Sequence, residues 1–166
     1  MTTKQKAKGK YFESKVAENI RNRLSLRENE CVRSPNSGNG EFEFGDIFFT
    51  DPIKYPFILE CKFGYDWDLK SLFPKLNKQL SKFLKQNNEA VDKYKQKMQM
   101  QPRFAGVVLA KPYFDPLVLT NFFECDLIEC ERIVTEDIDG NRVYIYPLDK
   151  ALNILFELME DPSYGR

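Results

Sequence analysis

A chain of 166 residues, 42% hydrophobic and 30% charged, is long enough for one domain with a proper core and too apolar to be disordered. No apolar run approaches the roughly 18 residues of a membrane span, and the lysine-rich start lacks a signal peptide's apolar segment, so an intracellular, cytoplasmic protein is expected. Histidine is absent, which excludes Ser-His-Asp, Cys-His and every other histidine-based chemistry.

Four cysteines (Cys31, Cys61, Cys125 and Cys130) form no CxxC pair, and without histidine they read as buried or incidental thiols, not as a zinc site or disulfide framework. The zero net charge hides an asymmetry. Residues 124–166 hold eleven acidic and four basic side chains, a net of −7, whereas residues 1–123 hold 21 basic and 14 acidic, a net of +7. Such a distribution permits a basic face for a polyanion; ordinary solvated surface accounts for it equally well.

In chain order, Lys4, Lys6, Lys8 and Lys10 open the sequence, and residues 1–8 are expected to form a mobile basic arm. From about Gly9, Phe12, Val16, Ile20 and Leu24 recur every four residues and predict an amphipathic helix. Glu13 falls within the apolar stripe, and Glu18 on the opposite side. A carboxylate facing the core needs a partner: a structural salt bridge, with Lys62 for example, or a functional site.

A short strand is expected at Cys31–Ser34, followed by turn formers from Pro35 to Gly40. A strand from Phe42 to Thr50 carries Asp46, and another from Tyr55 to Phe63 carries Glu60 and Lys62. The short link at Asp51-Pro52 predicts that these two strands make an antiparallel hairpin, bringing Asp46 beside Glu60. A long helix follows, from near Pro74 to about Gln99, with Lys75, Lys78, Lys82 and Lys85 on its polar face. That row is either solvated surface or a ridge for a phosphate backbone.

Phe104–Ala110 reads as a central strand buried on both faces. Leu117–Phe123 predicts a strand, and Ile128–Val134 with Arg142–Tyr146 predicts a hairpin turning at Asp139-Gly140-Asn141. An amphipathic helix from Leu148 to Met159 ends the chain. No repeat or linker interrupts it, so residues 1–166 are expected to be a single domain, with 124–166 an acidic hairpin and helix.

The chemistry concentrates between Gly45 and Lys62. Along an extended 57–63 segment, Phe57, Leu59, Cys61 and Phe63 share one face, and Ile58, Glu60 and Lys62 the other. Ionised groups on such a background are costly unless paired or bound to a metal. Hard cations such as Mg²⁺ or Mn²⁺ prefer oxygen ligands. Asp46 and Glu60 offer two, the Cys61 backbone carbonyl a third, and Glu13 a further one. Lys62 would position the attacking water and offset charge on a phosphate. A buried Glu60–Lys62 or Asp46–Lys62 ion pair is the structural alternative.

Gly45-Asp46 followed by Glu60-Cys61-Lys62 resembles the split motif of the PD-(D/E)XK nuclease superfamily, with glycine in place of the customary proline. Lys8-Gly9-Lys10-Tyr11-Phe12-Glu13 and Val32-Arg33-Ser34-Pro35-Asn36-Ser37-Gly38 are similar to segments of archaeal-type Holliday-junction resolvases, including forms carried by phages. The resemblance spans roughly residues 8–110. It implies an α/β, restriction-endonuclease-like core, with a mixed central β-sheet flanked by helices. Its implied active-site residues are Glu13, Asp46, Glu60 and Lys62. Arg33 would contact DNA phosphate, Ser34 and Ser37 would lie in a substrate loop, and Gln79 would face the site. Lys8, Lys10, Lys75, Lys78 and Lys82 complete the expected DNA-binding set. The implied activity is Mg²⁺-dependent resolution of four-way junctions by a homodimer acting on branched DNA. Ser14 departs from the arginine that commonly follows the first glutamate in resolvases, which bears on junction positioning more than on hydrolysis. Another PD-(D/E)XK nuclease, or a non-catalytic DNA-binding module with this fold, are the alternatives.

Overall fold

The computed structural model describes residues 3–35, 40–64, 67–122 and 132–161. Helix α1 (Thr3–Leu24) buries Phe12, Val16, Ala17, Ile20 and Leu24, the stripe that the four-residue spacing dictates. Two short strands, β1 (Cys31–Arg33) and β2 (Ile47–Phe49), pair antiparallel, with Arg33 opposite Ile47. Strand β3 (Phe57–Phe63) leads through a 3-10 turn (Leu69–Leu72) into α2 (Lys78–Met98), whose first turn is capped by the Asn77 side chain accepting the Leu80 N–H at 2.9 Å. Strand β4 (Phe104–Ala110) returns parallel to β3, in the crossover arrangement that parallel neighbours need. Strands β5 (Leu117–Thr120), β6 (Ile133–Glu136) and β7 (Arg142–Pro147) precede the terminal helix α3 (Leu148–Glu160).

The main sheet has the order β3-β4-β5-β7-β6, parallel at β3–β4 and antiparallel elsewhere. Alternation along its strands feeds two cores. Leu59, Cys61, Val108 and Tyr146 pack with α1 and α3 on one face. Val107, Leu109 and Ile145 pack with Leu80, Phe83 and Leu84 of α2 on the other. The architecture is therefore a mixed α/β sheet flanked by helices, consistent with a restriction-endonuclease-like fold. All seven residues of β4 are buried, as the unbroken apolar run requires.

Three expectations need correction. Residues 3–8 are the first turns of α1 and not an arm, because Lys4, Lys6 and Lys8 are good helix formers that extend the helix beyond its buried stripe. Helix α2 starts at Lys78, so Lys75 precedes it and pairs instead with Glu136 at 3.6 Å.

The third correction is the hairpin. Strand β2 pairs with β1, and among the described residues the segment's backbone ladder to β3 is a single parallel bridge between Gly45 and Leu59, beside which Phe49 packs edge-on against Phe57. The link after β2 is a wide turn in which the Asp51 side chain accepts the N–H groups of Ile53 and Lys54, and its carbonyl accepts that of Tyr55. Such a turn redirects the chain instead of folding it back on its own strand. Residues 128–131 of the expected Ile128–Val134 strand lie outside the described residues.

Candidate active site

Strand β3 is an edge of the main sheet, so alternate backbone groups along it face away from β4. The Asp46 N–H donates to the Leu59 carbonyl at 2.9 Å, and the Asp46 carboxylate accepts the Cys61 N–H at 2.8 Å. One residue's N–H and C=O point to the same side of a strand, which puts the Cys61 carbonyl on that edge, beside Asp46. Gly45 makes the approach possible. Its φ is +99°, and a Cβ there would stand 2.7 Å from the Leu59 carbonyl oxygen. Asp46 thus reaches Glu60 through backbone docking rather than through a hairpin.

Glu60 and Lys62 leave β3 on the α2 side, only 15% and 16% exposed, and pair at 3.2 Å. The Phe83 ring of α2 lies beneath the Lys62 ammonium, 5.5 Å from its centroid, and favours the charged form. Burial pushes the Glu60 carboxyl up to about 7, the neighbouring Asp46 adds to the rise, and Lys62 only partly offsets it. On the opposite side of β3, Glu13 of α1 is paired with Arg33 of β1 at 3.5 Å. Its carboxyl is also raised, by burial first and then by Asp46, against the opposing pull of Arg33 and Lys62. The Cys61 thiol is buried near the same acids and is held well above its ordinary value, so it stays protonated and inert.

Glu13, Asp46 and Glu60 therefore crowd negative charge around one strand edge, with Arg33 and Lys62 as the opposing cations. Burial is the first cause of both raised carboxyl groups, with the neighbouring Asp46 second, and the two cations offset this only in part. Among the described residues no three Asp, Glu or Cys side chains close into a complete metal cage. Mg²⁺-type cations do not require one: they keep several waters and are held by one or two carboxylates plus substrate phosphate. Asp46, Glu60 and the edge carbonyl fit that demand.

The model of a family described as "Phage putative PDDEXK endonuclease" matches residues 4–105, more than half of the chain. The chain belongs to this family. No curated protein and no solved structure matches it. The match runs from α1 to the start of β4, the part that carries Glu13, Asp46, Glu60 and Lys62. It supports nuclease activity of the PD-(D/E)XK superfamily, whose members generally use divalent metals.

Lys8 and Lys10 are exposed on α1, Lys10 one turn before Glu13, and Lys78, Gln79 and Lys82 are exposed on α2. At about 100° per residue, Gln79 and Lys82 lie on the Phe83 side of α2, away from Leu84 and toward β3. Lys75 is engaged with Glu136. Ser34 is a correction: it is 1% exposed, its hydroxyl donates to the buried Glu43 carboxylate, and its N–H donates to the Asp46 carbonyl at 2.8 Å. It holds the Asp46 segment in place and presents no surface to DNA. Ser37 lies outside the described residues.

Two residues escaped the sequence reading. Phe83 sat inside an apolar stripe and gave no sign of its place under Lys62. Glu43 fell in the expected Phe42–Thr50 strand without being singled out, yet its carboxylate is buried, at 6% exposed. Its backbone carbonyl and that of Gly40 both accept from Lys93 of α2, at 2.9 Å each. Only the pairing of α2 with this segment reveals it.

Proposed function

We propose that this chain is a divalent-metal-dependent DNA endonuclease, with Asp46, Glu60 and Lys62 at the reacting phosphate and Glu13 in support. The observation that carries it is the docking of the Asp46 carboxylate on the Cys61 N–H at 2.8 Å, which sets it beside Glu60 and Lys62 on an open sheet edge. Asp46, Glu60 and the Cys61 carbonyl would hold Mg²⁺, with Mn²⁺ able to substitute. The cation, when bound, supplies Lewis-acid stabilisation of the phosphate and makes water more acidic.

The chain's own groups supply the rest. Lys62, fixed between Glu60 and Phe83, orients the attacking water and balances negative charge that builds on the phosphate oxygens. Attack of the water on phosphorus forms one P–O bond and breaks another, the water releasing a proton to solvent and the leaving oxygen taking one up from it. Arg33, held by Glu13, contacts a neighbouring phosphate. Gln79, Lys78 and Lys82 of α2, with Lys8 and Lys10 of α1, extend a basic surface away from the site.

The substrate reading is branched DNA, four-way junctions in particular, cut by a homodimer that offers two sites at fixed spacing. It rests on the resemblance of the Lys8–Glu13 and Val32–Gly38 segments to junction resolvases. One observation favours the second reading, a PD-(D/E)XK nuclease not restricted to junctions. Ser14 turns its hydroxyl back to the Lys10 carbonyl at 3.0 Å, where resolvases carry an arginine.

A panel of four-way junction, flap, linear duplex and single-stranded DNA, with Mg²⁺, separates the two. Symmetric cuts confined to the junction support resolution, and equal cutting of linear duplex removes it. Beside this panel, Asp46→Asn should lower cleavage by about 100-fold or more while leaving DNA affinity within about threefold. A variant that cuts as well as the parent overturns the metal-site assignment. Binding without Mg²⁺-dependent cleavage by the parent would leave a non-catalytic DNA-binding module.

A further inference from the structure

The buried stripe of α2 is Leu80, Phe83, Leu84, Asn87, Val91 and Tyr94, with Ser81 beside it. Asn87 breaks its apolar pattern. It is 0% exposed, and among the described residues neither its Nδ2 nor its Oδ1 has a hydrogen-bond partner. Burying an amide with both polar atoms unsatisfied is costly, whereas a leucine of similar size would carry no such penalty.

Its position follows from its neighbours on the same helix. Phe83 lies under Lys62 of β3. Two turns further along, Val91 packs in a cluster with Ile58 of β3 and Ala105 of β4. From Phe83 to Asn87 to Val91 the helix rises about 6 Å per step. From Lys62 to Glu60 to Ile58 the strand falls back about 6.6 Å per step. The two ladders run in opposite directions and keep pace, so Asn87 is level with Glu60 and with Val107, the residue that pairs with Glu60 in the sheet. Around the helix axis Asn87 lies about 40° from Phe83 and about 60° from Leu84, nearer the β3 side.

We propose that Asn87 is a positioning residue of the active site, whose side-chain amide, unpartnered among the described residues, turns to the Glu60 carboxylate when the divalent cation binds and holds it in the orientation that takes the cation. The inference rests on the nuclease reading for the identity of the site. Glu60 is otherwise held by Lys62, a long and flexible partner. A rigid donor from the helix leaves one carboxylate oxygen directed at the strand edge where Asp46 and the Cys61 carbonyl lie. Carboxylates that bind metals commonly depend on such outer partners, and loss of one weakens metal affinity about 10- to 100-fold.

The test compares the parent with Asn87→Leu and Asn87→Ala, which both remove the amide. Three quantities are read: Mn²⁺ affinity by calorimetry without DNA, the metal-free thermal midpoint, and kcat and KM for DNA cleavage. Asn87→Leu should melt at or above the parent's midpoint, bind Mn²⁺ at least about tenfold more weakly, and lose kcat with KM for DNA unchanged. Asn87→Ala should show the same loss of Mn²⁺ affinity, and decides the matter if the leucine variant does not fold. Folded variants that bind Mn²⁺ like the parent overturn the proposal and leave Asn87 as a core residue. A parent that binds Mn²⁺ in an Asn87-dependent way yet cuts no DNA refutes the nuclease reading and keeps this one. A parent that binds no Mn²⁺ overturns both.

Discussion

Glu60 is the residue on which most of the site's physics converges. Its carboxyl is raised from an ordinary 4.5 to about 7 by burial and by Asp46, so the folded protein holds a proton there that the unfolded chain releases. Below about pH 4.5 both states are protonated and the group has no effect on stability. As pH rises through the window from about 4.5 to about 7, only the folded state retains the proton, and stability falls by up to about 3 kcal/mol. Denaturant unfolding of metal-free protein at pH 5 and pH 8 should show this loss. Glu60→Gln should flatten the difference, and added Mg²⁺ should restore stability at pH 8 because the cation then supplies the missing positive charge. An unchanged pH slope in Glu60→Gln would assign the effect to other groups, Glu13 first among them, since its carboxyl is also raised.

Among the elements, the segment from Ser34 to Asp46 shows how backbone contacts set chemistry. Gly45 runs beside Leu59 with positive φ, Ser34 and Leu59 hold the Asp46 backbone from two sides, and the Asp46 carboxylate then caps the Cys61 N–H. Gly45→Ala should cost about 1–3 kcal/mol in thermal or denaturant unfolding, since its Cβ would press on backbone, not on a side chain that can turn away. The same variant should lose cleavage more steeply than stability, because Asp46 is the next residue and moves with it. Full activity in Gly45→Ala would show that the close approach is dispensable. The resemblance placed a proline-like position here. The structure explains why glycine serves instead, through a conformation that proline cannot adopt.

For the whole molecule, the acidic C-terminal part supplies two strands of the five-stranded sheet and the helix α3. Strand β7 pairs with both β5 and β6, and its Val143, Tyr144, Ile145 and Tyr146 are all buried. Helix α3 packs beside α1 in the same core, and its C-terminal carbonyls at Leu158 and Asp161 accept from Arg103, just before β4. Truncation after residue 123 should therefore abolish cooperative unfolding and leave aggregating protein, although the family match ends at residue 105. A soluble, cooperatively melting 1–123 fragment would contradict that assignment. Among the described residues of this part, Glu136, Asp149, Glu157 and Glu160 ride on β6 and α3.

The sequence by itself determined the buried stripes of the helices, the buried strand β4 and the β6–β7 turn, and it singled out Asp46, Glu60 and Lys62 as candidates, since each rests on local spacing or on the cost of ions in apolar runs. It also sufficed for the superfamily, because the split motif is a pattern in one dimension. Only the tertiary structure decided how Asp46 meets Glu60, because a wide turn and a tight hairpin differ in hydrogen bonds that two-residue periodicity does not record. The same holds for Ser34, buried where it bonds Glu43 and Asp46, for Glu43, whose carbonyl accepts from Lys93 of α2, and for Phe83 and Asn87, whose surroundings depend on which strand the helix covers. Side-chain alternation reports which face a residue takes. What waits on the other side of that face is set by contacts between segments far apart in the chain.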